Sequence, residues 1–191
     1  MDPIVIQALA KWPNVPHCYG WLGLDARGNW YMRDDRAQAA GPFSPAAGGN
    51  LHSKGSLLKH EKLIDFIQRN YACDDAGQWF FQNGPQRVYV ELEAAPWVWR
   101  LAVADNGDIA VAAHDGRPAV VLGCVLDELG RVYLNTNIGF GLVYTQDVAV
   151  AATAVERGQL QPETMNLTEI PVFFKFELSP SSKNIQNSRK E

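Results

Sequence analysis

The stretch that decides the fold reads Gln86-Arg-Val-Tyr-Val-Glu-Leu-Glu93, then Ala-Ala-Pro96, then Trp-Val-Trp99-Arg-Leu101. Apolar and polar residues alternate in its first half, which is typical of a β-strand with one face toward a core. The three residues before the first tryptophan are typical of a turn, so a second strand is expected after it. The side chains expected in the core are Val88, Val90 and Leu92.

The opposite face of this strand carries the candidate binding residues. A turn over residues 94–96 predicts a hairpin in which Glu93 lies opposite Trp97 and Glu91 lies opposite Trp99. Indole rings stack on planar ligands while Arg or Glu side chains fix orientation, so the face is a candidate recognition surface. The candidate ligand-binding residues are Arg87, Tyr89, Glu91, Glu93, Trp97 and Trp99, with Asn135 and Asn137 as a polar rim.

The same face has two further interpretations. A solvated sheet face, with the indoles packed under a helix or a second lobe, also fits the alternation, and a register shift of one residue separates the acids from the indoles. Glu91 and Glu93 project the same way from a strand, so they can also be read as a general acid and base pair.

A short turn pattern recurs along the chain. Residues 25–32, 74–81 and 127–134 each place an Asp three residues before a Gly and follow it with an apolar, aromatic-rich segment. The Asp carboxylate can accept turn amides and the Gly can adopt positive φ, so each copy predicts a turn followed by a strand. The copies indicate either an internal duplication or repeated hairpin chemistry.

The remaining patterns predict an α+β protein of two lobes. The first lobe, residues 1–82, contains a hairpin over Tyr19–Met32, a helix over Ser56–Asn70 and a strand over Gln78–Gln82. Residues 33–53 lack an apolar period and are rich in Ala, Gly and Pro, so we expect a mobile loop there.

The second lobe spans residues 83–178. The many short apolar runs between Gln78 and Val143 predict a twisted antiparallel sheet, followed by a helix over Gln146–Arg157 and a last strand over Pro171–Leu178. The tail, residues 179–191, has no aromatic residue and is expected to be disordered.

Composition excludes several classes of function. The 191 residues are 47% hydrophobic, which is too high a fraction for a disordered chain. The net charge of −4 provides no positive potential for non-specific binding of nucleic acid or membranes. Three cysteines and four histidines without ligand spacing predict no metal and no disulfide framework. No cofactor fingerprint or nucleophile elbow is present, so no cofactor and no catalytic residue are assigned. The acidic start and absence of a long apolar run predict a cytoplasmic protein.

Several motifs carry a resemblance to a known family. They are Cys18–Met32, Lys54–Glu61, Gln78–Leu92, Pro96–Trp99 and Gly139–Asp147. Through them the chain resembles a proteobacterial family of uncharacterised proteins. The element order is also similar to a second bacterial family of duplicated, two-lobed proteins with a pleckstrin-homology-like second lobe. That second resemblance implies a nucleotide-like ligand and a role in signalling.

The predicted function is therefore a non-enzymatic, cytoplasmic ligand-binding or interaction module for a nucleotide-like molecule. One alternative is a hydrolytic enzyme that uses Glu91 and Glu93, for which Mg²⁺ would be the fitting metal. The other alternative is a protein–protein adaptor whose aromatic face docks a partner.

Overall fold

The computed structural model describes residues 1–188, which form two compact units. The first unit comprises Met1–Asp25, Asn29–Glu93 and the chain from Phe176; the second comprises Ala26–Gly28 and Ala94–Lys175. Each unit contains one β-sheet and several helices, so the fold class is α+β, as predicted. Within residues 1–188, no helix has the length and apolar character that a membrane crossing requires.

The elements follow one another in chain order. The strands are β1 (Cys18–Leu24), β2 (Trp30–Met32), β3 (Ser56–Leu57), β4 (Tyr71–Cys73), β5 (Trp79–Asn83), β6 (Gln86–Leu92), β7 (Trp97–Val103), β8 (Ile109–Ala113), β9 (Pro118–Ala119), β10 (Val121–Leu126), β11 (Val132–Thr136), β12 (Gly139–Val143) and β13 (Pro162–Thr164). The helices are α1 (Pro3–Lys11), α2 (Asp35–Ala39), α3 (Leu51–Lys54), α4 (Glu61–Arg69), α5 (Val148–Glu156), α6 (Ile170–Phe173) and α7 (Pro180–Ser188).

Both sheets are mixed rather than purely antiparallel. The first has the order β3-β2-β1-β6-β5-β4, in which β1 and β6 pair in parallel. The second has the order β13-β10-β11-β12-β7-β8-β9, in which β12 and β7, and also β10 and β13, pair in parallel. Turn residues identify strands that are neighbours in sequence, but they carry no signal for these pairs between distant segments.

The predicted hairpin over residues 86–101 is wrong. Strand β6 pairs with β1 and β5 in the first sheet, whereas β7 pairs with β12 and β8 in the second. The chain passes from the first unit to the second between Glu93 and Ala94, so this connection joins two sheets instead of closing a hairpin. Strand β6 falls within residues 83–178, the predicted second lobe, but it belongs to the first sheet.

The three Asp–Gly patterns form the expected turns. In each, the Oδ1 atom of Asp25, Asp74 or Asp127 accepts a hydrogen bond from the backbone N–H four residues later, at 2.8, 2.9 and 2.8 Å. The glycine that follows three residues after each Asp has positive φ, at 85°, 77° and 76°. The first turn closes the antiparallel β1–β2 pair, which confirms the hairpin predicted over Tyr19–Met32.

The expectation of loop without secondary structure over residues 33–53 is wrong. The segment contains α2 and the first part of α3, and it is organised by Arg33, which is 3% exposed. The Arg33 guanidinium donates to the carbonyl oxygens of Ser53 at 2.8 Å, Gly41 at 2.7 Å and Gly20 at 3.2 Å. The segment lacks the apolar period expected of ordered structure, and the buried Arg33 side chain holds it in place through these hydrogen bonds instead.

Three other boundaries differ from the sequence-based expectation. The helix predicted over Ser56–Asn70 begins at Glu61, because His60 caps it by accepting from the Leu63 N–H at 3.2 Å. The strand predicted over Pro171–Leu178 is in part helix α6, in which Pro171 occupies the first turn, where its missing N–H is tolerated. The predicted disordered tail forms α7 over residues 180–188, and its last part, residues 189–191, lies outside the described residues.

Close packing in the second sheet requires a glycine at position 141. A Cβ atom there would lie 2.5 Å from the Trp97 carbonyl oxygen and 2.6 Å from the Trp99 Nε1 atom. The parallel β12–β7 pair therefore depends on the missing side chain of Gly141.

Candidate functional site

A pocket of about 520 Å³ lies at one edge of the second sheet. Its wall includes β10, one residue of β11, the segment after α5 and the end of α6. The parallel β10–β13 ladder covers only Cys124, Val125 and Leu126, so the start of β10 extends past the edge strand and opens the space. This pocket lies entirely within the second unit.

Gly123 gives the pocket its depth. It pairs with Asn135 of β11, and a Cβ atom at position 123 would meet only the Asn135 Cβ atom, at 3.9 Å, which is an ordinary contact. The missing side chain therefore leaves space rather than preventing a clash. Beside it, burial raises the pKa of the Cys124 thiol to about 11, which keeps this group protonated at neutral pH.

Aromatic rings form one wall of the pocket. Phe174 lines it and stacks on Phe140 at a centroid distance of 3.7 Å, and Phe140 stacks in turn on Tyr133 at 5.5 Å. Phe173, 65% exposed, lies edge-on to Phe174 at 4.9 Å and also lines the pocket. A ring stack anchored on the sheet thus presents a fixed aromatic surface to the pocket.

Polar side chains line the pocket with unused hydrogen-bonding capacity. The side-chain amides of Asn135 and Gln161 have no hydrogen-bond partner among residues 1–184, whose side chains the structure describes. Gln159 differs, because its Nε2 atom donates to the Gly107 carbonyl oxygen at 3.1 Å. In the described part of the chain, Glu163 is the only charged residue that lines the pocket.

The structure does not bring the eight sequence-predicted site residues together. Asn135 lines the pocket in the second unit. Asn137 instead closes a local turn, where its Oδ1 atom accepts from the Val120 N–H at 2.8 Å and its own N–H donates to the Val120 carbonyl oxygen at 3.1 Å. The other six lie elsewhere.

Arg87 and Tyr89 belong to an aromatic cluster in the first unit. The Arg87 guanidinium lies 4.4 Å from the Phe80 ring centroid, and Tyr89 stacks on Tyr19 at 4.6 Å. The Tyr89 hydroxyl donates to Asp74 Oδ2 at 3.0 Å. Burial, together with this carboxylate, raises the pKa of Tyr89 to about 12, so the phenol stays protonated.

Glu91 and Glu93 have separate partners instead of forming a carboxylate pair. Glu91 is 2% exposed and accepts from the Ser179 hydroxyl at 2.6 Å and the Ser181 N–H at 3.0 Å, which holds the start of α7. Glu93 accepts from Lys54 Nζ at 2.8 Å. Burial alone would lower the pKa of Lys54, but its contacts with Glu93 and Asp25 outweigh burial and raise it.

Trp97 and Trp99 are core residues of the second unit. Their exposed fractions are 2% and 0%, so neither indole is open to a stacking ligand. Trp99 Nε1 donates to the Leu134 carbonyl oxygen at 3.0 Å, and the two rings stack at 6.1 Å.

Comparison with known proteins places the chain in a family. Residues 1–186 match the DUF2944 family model, whose description is "Protein of unknown function (DUF2946)". The chain belongs to this family. The predicted resemblance to a family of uncharacterised proteins is thereby confirmed. The comparison with curated proteins finds no match.

Two solved structures are similar to this chain. One is a DUF1285 family protein from Shewanella baltica OS155, with 16% identity, a TM-score of 0.46, and coverage of 70% of this chain and 91% of that chain. The other is a DUF1285 family protein from Silicibacter pomeroyi DSS-3, with 13% identity, a TM-score of 0.48, and coverage of 79% and 83%.

Several pocket residues were missed by the sequence analysis. Gly123 interrupts an apolar strand, and a glycine in a strand interior often marks a bulge or a site of close approach, so this signal was present. Phe173 and Phe174 were assigned to a strand, which hid their position at the end of a helix. Glu163 carries no local signal, because only the pairing of β13 with β10 brings it to the pocket.

Proposed function

We propose that this chain is a cytoplasmic small-molecule-binding protein whose second unit holds a planar heteroaromatic molecule of the nucleobase or nucleoside class. The observation that carries the proposal is the pairing of a fixed aromatic wall with the two unpartnered amides of Asn135 and Gln161. Aromatic faces stack on planar rings, and amides donate and accept at their edges. The volume of about 520 Å³ lies within the usual range for small-molecule sites.

The charge of the pocket favours a ligand without a phosphate group over a phosphorylated nucleotide. Its lining carries the carboxylate of Glu163, whereas Arg87, the cation among the predicted ligand-binding residues, belongs to the first unit. A phosphate beside Glu163 would be repelled, so an uncharged or cationic ligand fits better. The ligand we propose is therefore a nucleobase or nucleoside without a phosphate group.

The chemistry of the pocket supports binding rather than turnover. The Cys124 thiol lines the pocket, and burial raises its pKa to about 11, which makes it a poor nucleophile at neutral pH. Retention of the ligand, without covalent reaction, is the proposed role.

Filling the pocket tests this function. We expect nucleosides to raise the melting temperature of the wild type, since a ligand at 100 times its Kd stabilises a protein by about 2.7 kcal/mol. Gly123→Leu should retain the unliganded fold but lose this shift, because its side chain would occupy the pocket. Val172→Ser is the matched control, since Val172 is 80% exposed on α6 and does not line the pocket.

Two results would contradict the proposal. One is equal nucleoside binding by the wild type and Gly123→Leu, which would place the ligand elsewhere. The other is tighter binding of 5′-monophosphates than of the parent nucleosides, which would contradict the charge argument. Calorimetric titration with adenosine, guanosine, cytidine, uridine and their monophosphates provides the affinities.

A protein partner is a second candidate occupant of the same edge. Leu122, which lines the pocket, is 65% exposed, and Val172 and Phe173 are exposed on α6. Such a surface is typical of an interaction site. If these side chains dock a protein, Val172→Ser should weaken that complex while leaving nucleoside binding unchanged.

A further inference from the structure

We infer that Glu163 makes this pocket selective for a base edge with two adjacent N–H donors, so that guanine is preferred over hypoxanthine and adenine. The inference rests on the proposed function, because it assigns a specificity to the same pocket. It starts from the position of Glu163 in β13, opposite Val125 in the parallel ladder.

The Glu163 carboxylate is available to a ligand. It lines the pocket and is exposed, and it has no hydrogen bond and no ion pair with any group of residues 1–184, the part of the chain whose side chains the structure describes. The nearby amides of Asn135 and Gln161 can adapt to either kind of ligand edge, because each can donate and accept. An ionised carboxylate only accepts, so Glu163 is the group that constrains the ligand.

Ligands that lack donors would be penalised at this position. A ligand that covers the carboxylate removes water from it, and an acceptor facing it would leave the charge without compensation. A ligand with two adjacent donors can replace that water with a bidentate, charge-assisted pair of hydrogen bonds. Glu163 therefore disfavours ligands that present an acceptor to it and favours ligands that present two donors.

Guanine is the common base that meets this requirement. Its N1–H and 2-amino group lie side by side and both donate. Hypoxanthine retains N1–H and lacks the amino group, so comparing guanosine with inosine isolates one donor. Adenine and cytosine each place a ring acceptor beside the amino group, which would face the carboxylate unfavourably.

The test is a calorimetric titration of guanosine, inosine and adenosine into the wild type and two variants. We expect the wild type to bind guanosine at least tenfold more tightly than inosine, because a bound base covers the exposed carboxylate of Glu163 and inosine then leaves one of its oxygens without a donor. Glu163→Gln should reduce this ratio to less than threefold, as a single amide oxygen replaces the carboxylate. Glu156→Gln, an equal charge change at an exposed position on α5 outside the pocket, should keep the wild-type ratio.

The outcomes distinguish this inference from the proposed function. If all three nucleosides bind the wild type equally and Gly123→Leu abolishes binding, the selectivity is wrong and the pocket assignment stands. A guanosine-to-inosine ratio that survives Glu163→Gln also overturns the role of Glu163. If none of the three binds the wild type, the inference fails, and the proposed function fails with it if cytidine and uridine do not bind either.

Discussion

Replacing Arg33 with Met should destabilise the first unit by about 3–5 kcal/mol. The guanidinium makes hydrogen bonds of 2.7, 2.8 and 3.2 Å to three carbonyl oxygens, and the residue is 3% exposed. A buried polar group left without its partner costs about 1–3 kcal/mol, so three such carbonyl groups give about 3–9 kcal/mol. Relaxation and water entry favour the lower part of that range. Met retains most of the apolar part of the arginine side chain, so the loss of stability reports the contribution of the guanidinium group.

Amide hydrogen exchange is the appropriate assay, because a chain with two compact units need not unfold in one step. Peptides covering residues 34–54 should lose protection in Arg33→Met, while peptides of the second unit should be unchanged. Arg36→Met is the matched control, since Arg36 is an exposed arginine on the neighbouring helix α2. Equal protection in the two variants, or a loss below about 1 kcal/mol, would refute the central role given to Arg33.

Two further predictions concern the second unit. Gly141→Ala should cost about 1–3 kcal/mol in urea unfolding, because its Cβ would overlap the Trp97 carbonyl oxygen. Gly123→Ala, which has room for a methyl group, should cost much less, and equal losses would contradict the packing argument. Burial alone would raise the pKa of Asp147, but hydrogen bonds, including one from Arg100 at 2.7 Å, outweigh it and lower the pKa. The stabilisation from the Asp147 carboxylate is therefore present above the unfolded pKa of about 3.9 and is lost as the pH falls. Asp147→Asn should be less stable than the wild type at pH 7, and the difference in stability should narrow on acidification. A gap that does not change between pH 7 and pH 3 would contradict this reasoning.

Local chemistry explains what could be predicted from the sequence. The Asp25–Gly28 turn is determined by residues within five positions of one another, since the Asp carboxylate and the positive φ of glycine act on the same turn. The helix predicted over Gln146–Arg157 forms as α5 over Val148–Glu156, with Ala151 and Ala154 as its buried residues. The family resemblance was also predictable, because the motifs that carry it are contiguous in sequence.

Contacts between distant segments explain what could not be predicted. The alternation in β6 indicated one buried face, yet Tyr89 and Glu91 are buried as well, because β1 and the start of α7 contact this strand. The order of residues 33–54 depends on one arginine and carbonyl groups from three places. The pocket depends on the β10–β13 pairing, for which the sequence has no period or spacing signal.

The most direct test of the proposed site is a ¹H–¹⁵N correlation spectrum recorded during titration with guanosine. We expect saturable shifts in the backbone amides of Gly123 and Gly158 and in the side-chain amides of Asn135 and Gln161, all of which line the pocket. The same titration of Gly123→Leu should leave the signals of Gly158, Asn135 and Gln161 unchanged. Shifts that instead centre on Arg87 and the first unit, or that persist in Gly123→Leu, would contradict the assignment.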